Sequence, residues 1–342
     1  MIDVEFFSSP IGLGHVTRDI AIVENFENIS AKFVTGNGAA EILENLDYNV
    51  ANLYHPPSFQ VKNGALTKSA RWLWNYYQYY KDCKVISEKV IIEDKPSIVI
   101  SDEDFASLAV AQSKKIPTVL ITDILETKFT SGFASLIEKK MNKSMQKIVE
   151  NCNKVIVPEF GNNKENIMYV GPIVRQTKFS REELRKKFCF NKKTVVVSIG
   201  GTDAGLFLIH KVLEIQSKLA ECEIVFVSGP SLDKKFEGIR NFGFINNLHE
   251  VIFAADVIVS LAGKSTIDES KEYGTPGIFI PIKGHFEQED NAKAEGFVFE
   301  DIDRLDKLIL DKLDEKRNFV KNEGAQKASR IIKDLVLESS NH

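Results

Sequence analysis

Cysteine is scarce and scattered. Cys83, Cys152, Cys189 and Cys222 are the only four, no two closer than 33 residues, so no CxxC pair exists for a structural zinc or a redox dithiol. They read as reduced, mostly buried thiols. Long apolar runs are missing as well, none approaching the roughly 18 residues that a spanning helix needs. The opening Met1-Ile2-Asp3-Val4-Glu5 is acidic where a secretory signal would be basic, so a cytoplasmic protein is expected. Neither charge dominates: 44 Lys and Arg stand against 48 Asp and Glu, a net of −4, without the footprint of a dedicated nucleic-acid binder. There is no low-complexity tract and no short repeat.

What is present is the material of two globular domains. The length is 342 residues and 43% of them are hydrophobic. Short β-branched or aromatic runs recur, each followed by a longer stretch of helical periodicity, which is the alternation of a parallel sheet. They are Val4 to Phe7, Lys32 to Thr35, Ser97 to Ile100, Thr118 to Ile121 and Lys154 to Val157, then Thr194 to Ile199, Glu223 to Val227, Asp256 to Val259 and Gly277 to Ile280. Runs so continuously apolar imply burial on both faces, hence two doubly wound α/β domains. The polar stretch around Gly161-Asn162-Asn163 suggests a linker over 161–175, between an N-terminal domain of 1–160 and a C-terminal one of 176–342. The last helix is a candidate to pack back on the first domain. Because ligands bind outside the carboxyl ends of such strands, a cleft between the halves is the expected site.

Three glycine-bearing loops follow strands. In the first, Gly12-Leu13-Gly14-His15-Val16-Thr17-Arg18, a dinucleotide fingerprint fails because Thr17 stands where the third glycine belongs, and no acid ends the second strand. This argues against an NAD or FAD enzyme. His15, set between strand and helix, is a candidate general base, the plain alternative being a histidine that only hydrogen-bonds the helix start. The second loop, Gly200-Gly201-Thr202, and the third, Ala262-Gly263-Lys264-Ser265-Thr266, both precede helices whose first amides can receive an anion. A Walker A loop is disfavoured because Ile258 occupies the earlier glycine position. Either loop alone also fits an ordinary turn.

As a set, these residues resemble the GT-B glycosyltransferases, specifically the family 28 group around the peptidoglycan N-acetylglucosaminyltransferase. The likeness lies in Gly12-x-Gly14-His15 with Thr17-Arg18, in Gly200-Gly201-Thr202, in Gly263 through Ser265-Thr266 to Glu269, and in Gly274-x-Pro276 through His285-x-Glu287-Gln288 to Asn291. It implies two Rossmann-like domains and an inverting transfer from a nucleoside diphosphate sugar, UDP-linked in this group. Gly14, Gly201, Thr202, Gly263, Lys264, Ser265 and Thr266 would face the diphosphate, Glu269 the ribose, and Phe244 and Ile245 the base. His285, Glu287 and Gln288 would face the sugar, and His15 would deprotonate the acceptor hydroxyl. No metal or cofactor is required, since oriented amides and helix dipoles can stabilise a leaving diphosphate.

Ser101-Asp102-Glu103-Asp104 departs from that group, which has a glycine-rich loop there. Asp102 and Asp104 are read as acceptor-side acids, with a solvated loop or a helix cap as the alternative. Both tryptophans fall in a basic, aromatic stretch over 62–84. Its helical stripe Leu66, Ala70, Leu73, Tyr77 and Tyr80 leaves Trp72 and Trp74 directed elsewhere, toward an acceptor. A second basic amphipathic stretch is Phe133, Ile137, Met141, Met145 and Ile148. Together they suggest a lipid-linked acceptor and a peripheral place at the inner face of a membrane. Two other functions compete: a nucleotide-sugar hydrolase resembling the pseudaminic acid pathway enzyme, in which His15 would activate water, and a non-catalytic nucleotide-sugar binding protein.

Overall fold

All nine apolar runs form strands. The structure, a computed structural model, describes residues 2–67, 69–123, 134–201, 203–230, 232 and 234–340. In chain order the first half holds β1 (Val4–Ser8), α1 (Gly14–Val23), β2 (Ala31–Thr35), α2 (Asn37–Asn45), β3 (Val50–Asn52), the short strands β4 (Gln60–Lys62) and β5 (Ala65–Thr67), and α3 (Ser69–Asp94). It continues with β6 (Ile98–Asp102), α4 (Phe105–Ser113), β7 (Thr118–Ile121), α5 (Ala134–Glu150), β8 (Lys154–Val157) and β9 (Ile167–Tyr169). The second half runs α6 (Arg181–Lys187), β10 (Thr194–Ser198), α7 (Leu206–Ile215), β11 (Glu223–Val227), β12 (Arg240–Gly243), α8 (Leu248–Ala254) and β13 (Val257–Leu261). It closes with α9 (Lys264–Glu272), β14 (Gly277–Ile280), α10 (Phe286–Ala294), α11 (Leu305–Leu313) and α12 (Gly324–Ser340).

Two parallel sheets result, one of seven strands in the order β3-β2-β1-β6-β7-β8-β9 and one of five in the order β12-β11-β10-β13-β14. Strands β1, β6, β10 and β13 are buried along their whole lengths, as an α/β sheet covered on both faces requires. Phe6 lies in register between Phe33 and Ile100 in the first sheet, and Val197 between Phe226 and Val259 in the second. Each such side chain contributes about 1.5–3 kcal/mol on burial, which is what fixes the registers.

The chain forms two compact units, one of Met1–Ser58, Lys68–Val174 and Asn322–His342, the other of Phe59–Thr67 and Arg175–Lys321. The change of unit at Val174/Arg175 comes at the very end of the expected linker, because β9 pairs with β8 and extends the first sheet. Its three residues are too few for a sequence pattern to announce. The antiparallel hairpin β4–β5, drawn from the first half, belongs to the second unit. Helix α12 belongs to the first, where Ser329 Oγ donates to the Asn25 carbonyl after α1 at 3.1 Å.

Candidate functional site

In each sheet the strand order reverses once, and there the connections on either side part to leave a crevice at the carboxyl ends. In the first sheet that point lies between β1 and β6, in the second between β10 and β13. The loop after β1 carries Gly14 and His15, and the loop after β6 carries Glu103. The loops after β10 and β13 carry Gly200-Gly201 and Gly263. Four loops chosen for their residues thus sit at the two positions where topology makes room for ligands.

The first crevice is built around Asp102, the last residue of β6 and fully buried. Gly14 and His15 open α1, and His15 Nδ1 lies 2.8 Å from Asp102 Oδ1. One turn further along α1, Arg18 clasps the same carboxylate, donating from Nε to Oδ2 at 2.8 Å and from Nη2 to Oδ1 at 2.5 Å. Burial opposes ionisation of Asp102, but Arg18 and then His15 outweigh it and hold the carboxyl down at about 2. For His15, burial lowers the pKa, and Asp102 and Glu103 more than offset it, raising it to about 9. Asp19, on the same helix and hydrogen-bonded by Ser8, is pushed up first by burial and then by the Asp102 charge. The crevice therefore holds an imidazole whose Nδ1 faces an anion and whose Nε2 lies 3.8 Å from the Glu103 carboxyl.

Asp102 is thus no free acceptor-side acid. Its oxygens are occupied by His15 and Arg18, because a buried carboxylate must be paired. Asp104 is corrected too: it caps α4, accepting from the amides of Ala106 and Ser107 and from the Tyr54 hydroxyl at 3.0 Å. Trp72 does not point away from the core. It is 8% exposed, stacks on Tyr76, and donates from Nε1 to the Pro57 carbonyl at 3.0 Å. The assumed stripe began one turn too early, since Leu66 lies in β5 and the helix starts at Ser69. Trp74 is 58% exposed, as its position off the stripe implies. Phe133 and the side chains of Ile137 and Met141 lie outside the described residues.

In the second crevice, Gly263 is the N-cap of α9, whose first turn Lys264, Ser265 and Thr266 presents amides without intrahelical acceptors. Ser265 and Thr266 are half-buried. The Lys264 ammonium is paired with Asp268 one turn on, at 2.7 and 2.8 Å. That i,i+4 spacing lays the side chain along the helix. Gly229, after β11, brings its backbone so close to Gly200 and Gly201 that a Cβ there would stand 2.4 Å from the Gly200 carbonyl oxygen. Thr202 lies outside the described residues.

Glu269 is buried on α9, and burial raises its pKa to about 8 against the pull of Arg175. Arg175 itself donates to the Asn246 carbonyl at 3.1 Å, which anchors the turn that follows Phe244 and Ile245. Phe244 is half-buried, and Ile245 packs partly into the core beside Val251 and Ile252. His285 is the N-cap of α10, with Glu287 and Gln288 in its first turn. Burial lowers the His285 pKa to about 4, so its ring is neutral. Gln288 Oε1 accepts from the Ile282 amide at 3.0 Å, and Asn291 Nδ2 donates to the Ala262 carbonyl at 3.2 Å, tying this loop to the one before Gly263.

Hairpin β4–β5 completes this side. Leu66 N donates to the Lys283 carbonyl and Lys283 N to that of Gly64, both at 2.8 Å, and the Phe59 ring lies 5.3 Å from that of His285. Sequence reasoning missed Arg175, Phe59 and the pairing of Asp102 with His15. For the pairing the available signal was an acid ending β6 and a histidine opening the helix after β1; for Phe59 there was none.

Residues 194–334 match the glycosyltransferase family 28 C-terminal domain. An uncharacterized glycosyltransferase of Methanosarcina acetivorans is 26% identical over 318 residues, 84% of this chain and 82% of that protein. The UDP-N-acetylglucosamine--N-acetylmuramyl-(pentapeptide) pyrophosphoryl-undecaprenol N-acetylglucosamine transferase of Clostridium tetani is 25% identical over 340 residues, 90% of this chain and 89% of the relative. Among solved structures, UDP-GlcNAc 2-epimerase from Neisseria meningitidis bound to UDP-GlcNAc superposes with a TM-score of 0.64 at 15% identity, covering 99% of this chain and all of that one. At that identity the likeness establishes the fold, one shared with solved glycosyltransferases. Two parallel-sheet domains of this kind, with loops at both switch points, define the GT-B architecture. The protein is a nucleotide-sugar glycosyltransferase, and its residues 194–334 match the C-terminal domain of family 28.

Proposed function

We propose that the protein moves a hexose from a UDP-linked sugar to a hydroxyl acceptor with inversion at the anomeric carbon, His15 acting as the base. The observation that carries this reading is the His15–Asp102 contact of 2.8 Å at a switch point. With Nδ1–H donated to Asp102, the Nε2 lone pair is directed at the substrate side. His15 Nε2 takes the acceptor proton as the acceptor oxygen bonds to the anomeric carbon, and the bond from that carbon to the diphosphate breaks with its electrons leaving on UDP. The first-turn amides of α9, with Ser265 and Thr266, and the Gly200-Gly201 loop receive the diphosphate charge. Glu269 serves the ribose, the turn at Phe244 and Ile245 the base, and His285, Glu287 and Gln288 the sugar. Uridine is favoured because the peptidoglycan relative and the solved epimerase both carry UDP-N-acetylglucosamine in their names.

The test is product analysis with UDP-GlcNAc and UDP-glucose. The expected product is a glycoside of inverted anomeric configuration whose formation depends on acceptor. Free sugar released at full rate without acceptor would assign the hydrolase reading instead, and binding with no turnover the non-catalytic one.

A lipid-linked acceptor reached at the inner membrane surface fits the relative whose name includes pyrophosphoryl-undecaprenol. Among the described residues no helix is long and apolar enough to cross a membrane. Helix α3, however, exposes Trp74 at 58%, Val85 at 71% and Ile92 at 56%. Spacings of 11 and 7 residues put all three on one face, with Lys81 and Lys89 alongside. A surface of this kind suits anionic lipid. In flotation with phosphatidylglycerol vesicles the protein is expected to rise with the lipid, and the triple change Trp74→Ser, Val85→Ser, Ile92→Ser to abolish this while leaving the folded secondary structure intact. Wild-type protein that stays at the bottom of the gradient would remove the membrane part of the proposal alone.

A further inference from the structure

Consecutive residues of an extended chain direct their side chains to opposite faces. Asp102 and Glu103 do not behave this way, for both reach the same imidazole, Asp102 at Nδ1 (2.8 Å) and Glu103 at Nε2 (3.8 Å). The cause is the backbone of Glu103, whose φ of +58° lies in the left-handed region that a non-glycine residue enters only at a steric cost. Such strain persists where surrounding structure enforces it, and it concentrates at functional sites. Here the enforcing contacts are the Glu103 amide, bound to the Ile121 carbonyl at 3.2 Å, and the adjoining Ser9 amide, bound to the Asp102 carbonyl at 2.9 Å. Thr122 Oγ1 then donates to Glu103 Oε1 at 3.1 Å, which fixes the carboxyl and turns Oε2 toward His15. The side chain is 15% exposed, inside the crevice rather than out in solvent.

A separation of 3.8 Å is too long for a hydrogen bond between Nε2 and Oε2. It does suit two oxygens on neighbouring carbons, each hydrogen-bonded at about 2.8 Å to one of these atoms. Building on the reading of His15 as the base, we propose that Glu103 is a second acceptor-contacting residue. Its carboxyl accepts from the hydroxyl adjacent to the one that His15 activates, so the acceptor is a vicinal diol, as on a sugar ring, and not an isolated alcohol. Burial, and next the Asp123 carboxylate, favour the protonated form of Glu103, which still offers a carbonyl oxygen as acceptor. The other charged groups around it are His15 and Arg18.

The experiment reads His15 directly. Protein labelled with 15N at histidine, with the His15 signal assigned by its loss in His15→Ala, is titrated with methyl β-D-glucopyranoside, a polyol, and with cyclohexanol, a lone alcohol. The comparison uses wild type, Glu103→Gln, and Glu103→Asn, the last because asparagine tolerates the left-handed backbone but is too short to reach the imidazole. The glucoside is expected to perturb His15 Nε2 in the wild type and in Glu103→Gln, whose amide oxygen still accepts, with an apparent affinity about tenfold above that in Glu103→Asn, the loss of one good hydrogen bond. Cyclohexanol is expected to act alike on all three. Equal glucoside affinity in the three proteins, or a glucoside that leaves the wild-type signal unmoved, overturns the proposal. His15→Ala is assayed in parallel with UDP-GlcNAc: if it turns over at the wild-type rate, the base reading fails by itself, whatever the glucoside titration gives.

Discussion

His15→Ala lowers kcat for transfer by about 10²–10⁴-fold and leaves UDP binding unchanged. The magnitude is what a positioned general base supplies, and the split follows from where the groups lie, the imidazole at the switch point of the first sheet and the candidate diphosphate amides on α9 of the second. The pH profile is the sharper signature. Because Asp102 and Glu103 outweigh burial and lift His15 to about 9, the free protein at neutral pH holds mostly imidazolium, which has no lone pair for an acceptor proton. The kcat/KM for transfer is therefore expected to climb tenfold per pH unit through the neutral range and to level off near pH 9, not near the ordinary histidine value of 6.5. A profile flat from pH 6 to 9 would mean that His15 is not the group losing the proton.

The fold was legible because its signal is redundant. Nine apolar runs of four to six residues, each trailed by a helical stretch, leave little but two parallel sheets, and burial on both faces makes each run nearly continuous. Helix α9 was legible for a similar reason, its start fixed by Gly263 and its amides implied by any helix end. What escaped was pairing. Asp102 and His15 are 87 residues apart, and only the adjacency of β1 and β6 brings them together. An acid at a strand end reads the same whether it faces solvent, caps a helix as Asp104 does, or grips an arginine as Asp102 does. Lys264 illustrates the converse, a partner close in sequence. A lysine in an anion-binding loop suggested a phosphate contact, yet Asp268 stood in the sequence four residues on, at the spacing that captures it. The hairpin β4–β5 was hidden by brevity, three residues to a strand, next to an aromatic stretch that drew attention to α3.

Asp102→Asn is expected to cost both stability and rate, for separable reasons. The carboxylate is fully buried and answers the buried Arg18 through two hydrogen bonds. Removing its charge leaves the guanidinium, among the described residues, with the Asp123 carboxylate at 3.8 Å as its nearest ion-pair partner, and a buried charge that loses its main partner in this way costs about 3–5 kcal/mol. The pH dependence of stability carries the signs. Asp102 is held at about 2 against an ordinary 3.8, so its contribution is complete above pH 3.8 and lost as pH falls toward 2. His15 is raised from 6.5 to about 9, so its contribution is complete below pH 6.5 and lost as pH rises toward 9. Urea unfolding should therefore show the wild type weakening at both ends, and Asp102→Asn, already weaker, changing less across both windows. In the rate, the variant loses the acceptor that fixes the His15 tautomer with the lone pair on Nε2, an effect of up to about 10⁴ in enzymes with an oriented imidazole base. It also loses the carboxylate that does most to raise the His15 pKa, so what activity remains should reach its plateau at lower pH than the wild type. A structural role for Asp102 alone would lower stability without moving that plateau, so the displaced limb separates a carboxylate that orients and tunes a base from one that merely neutralises Arg18.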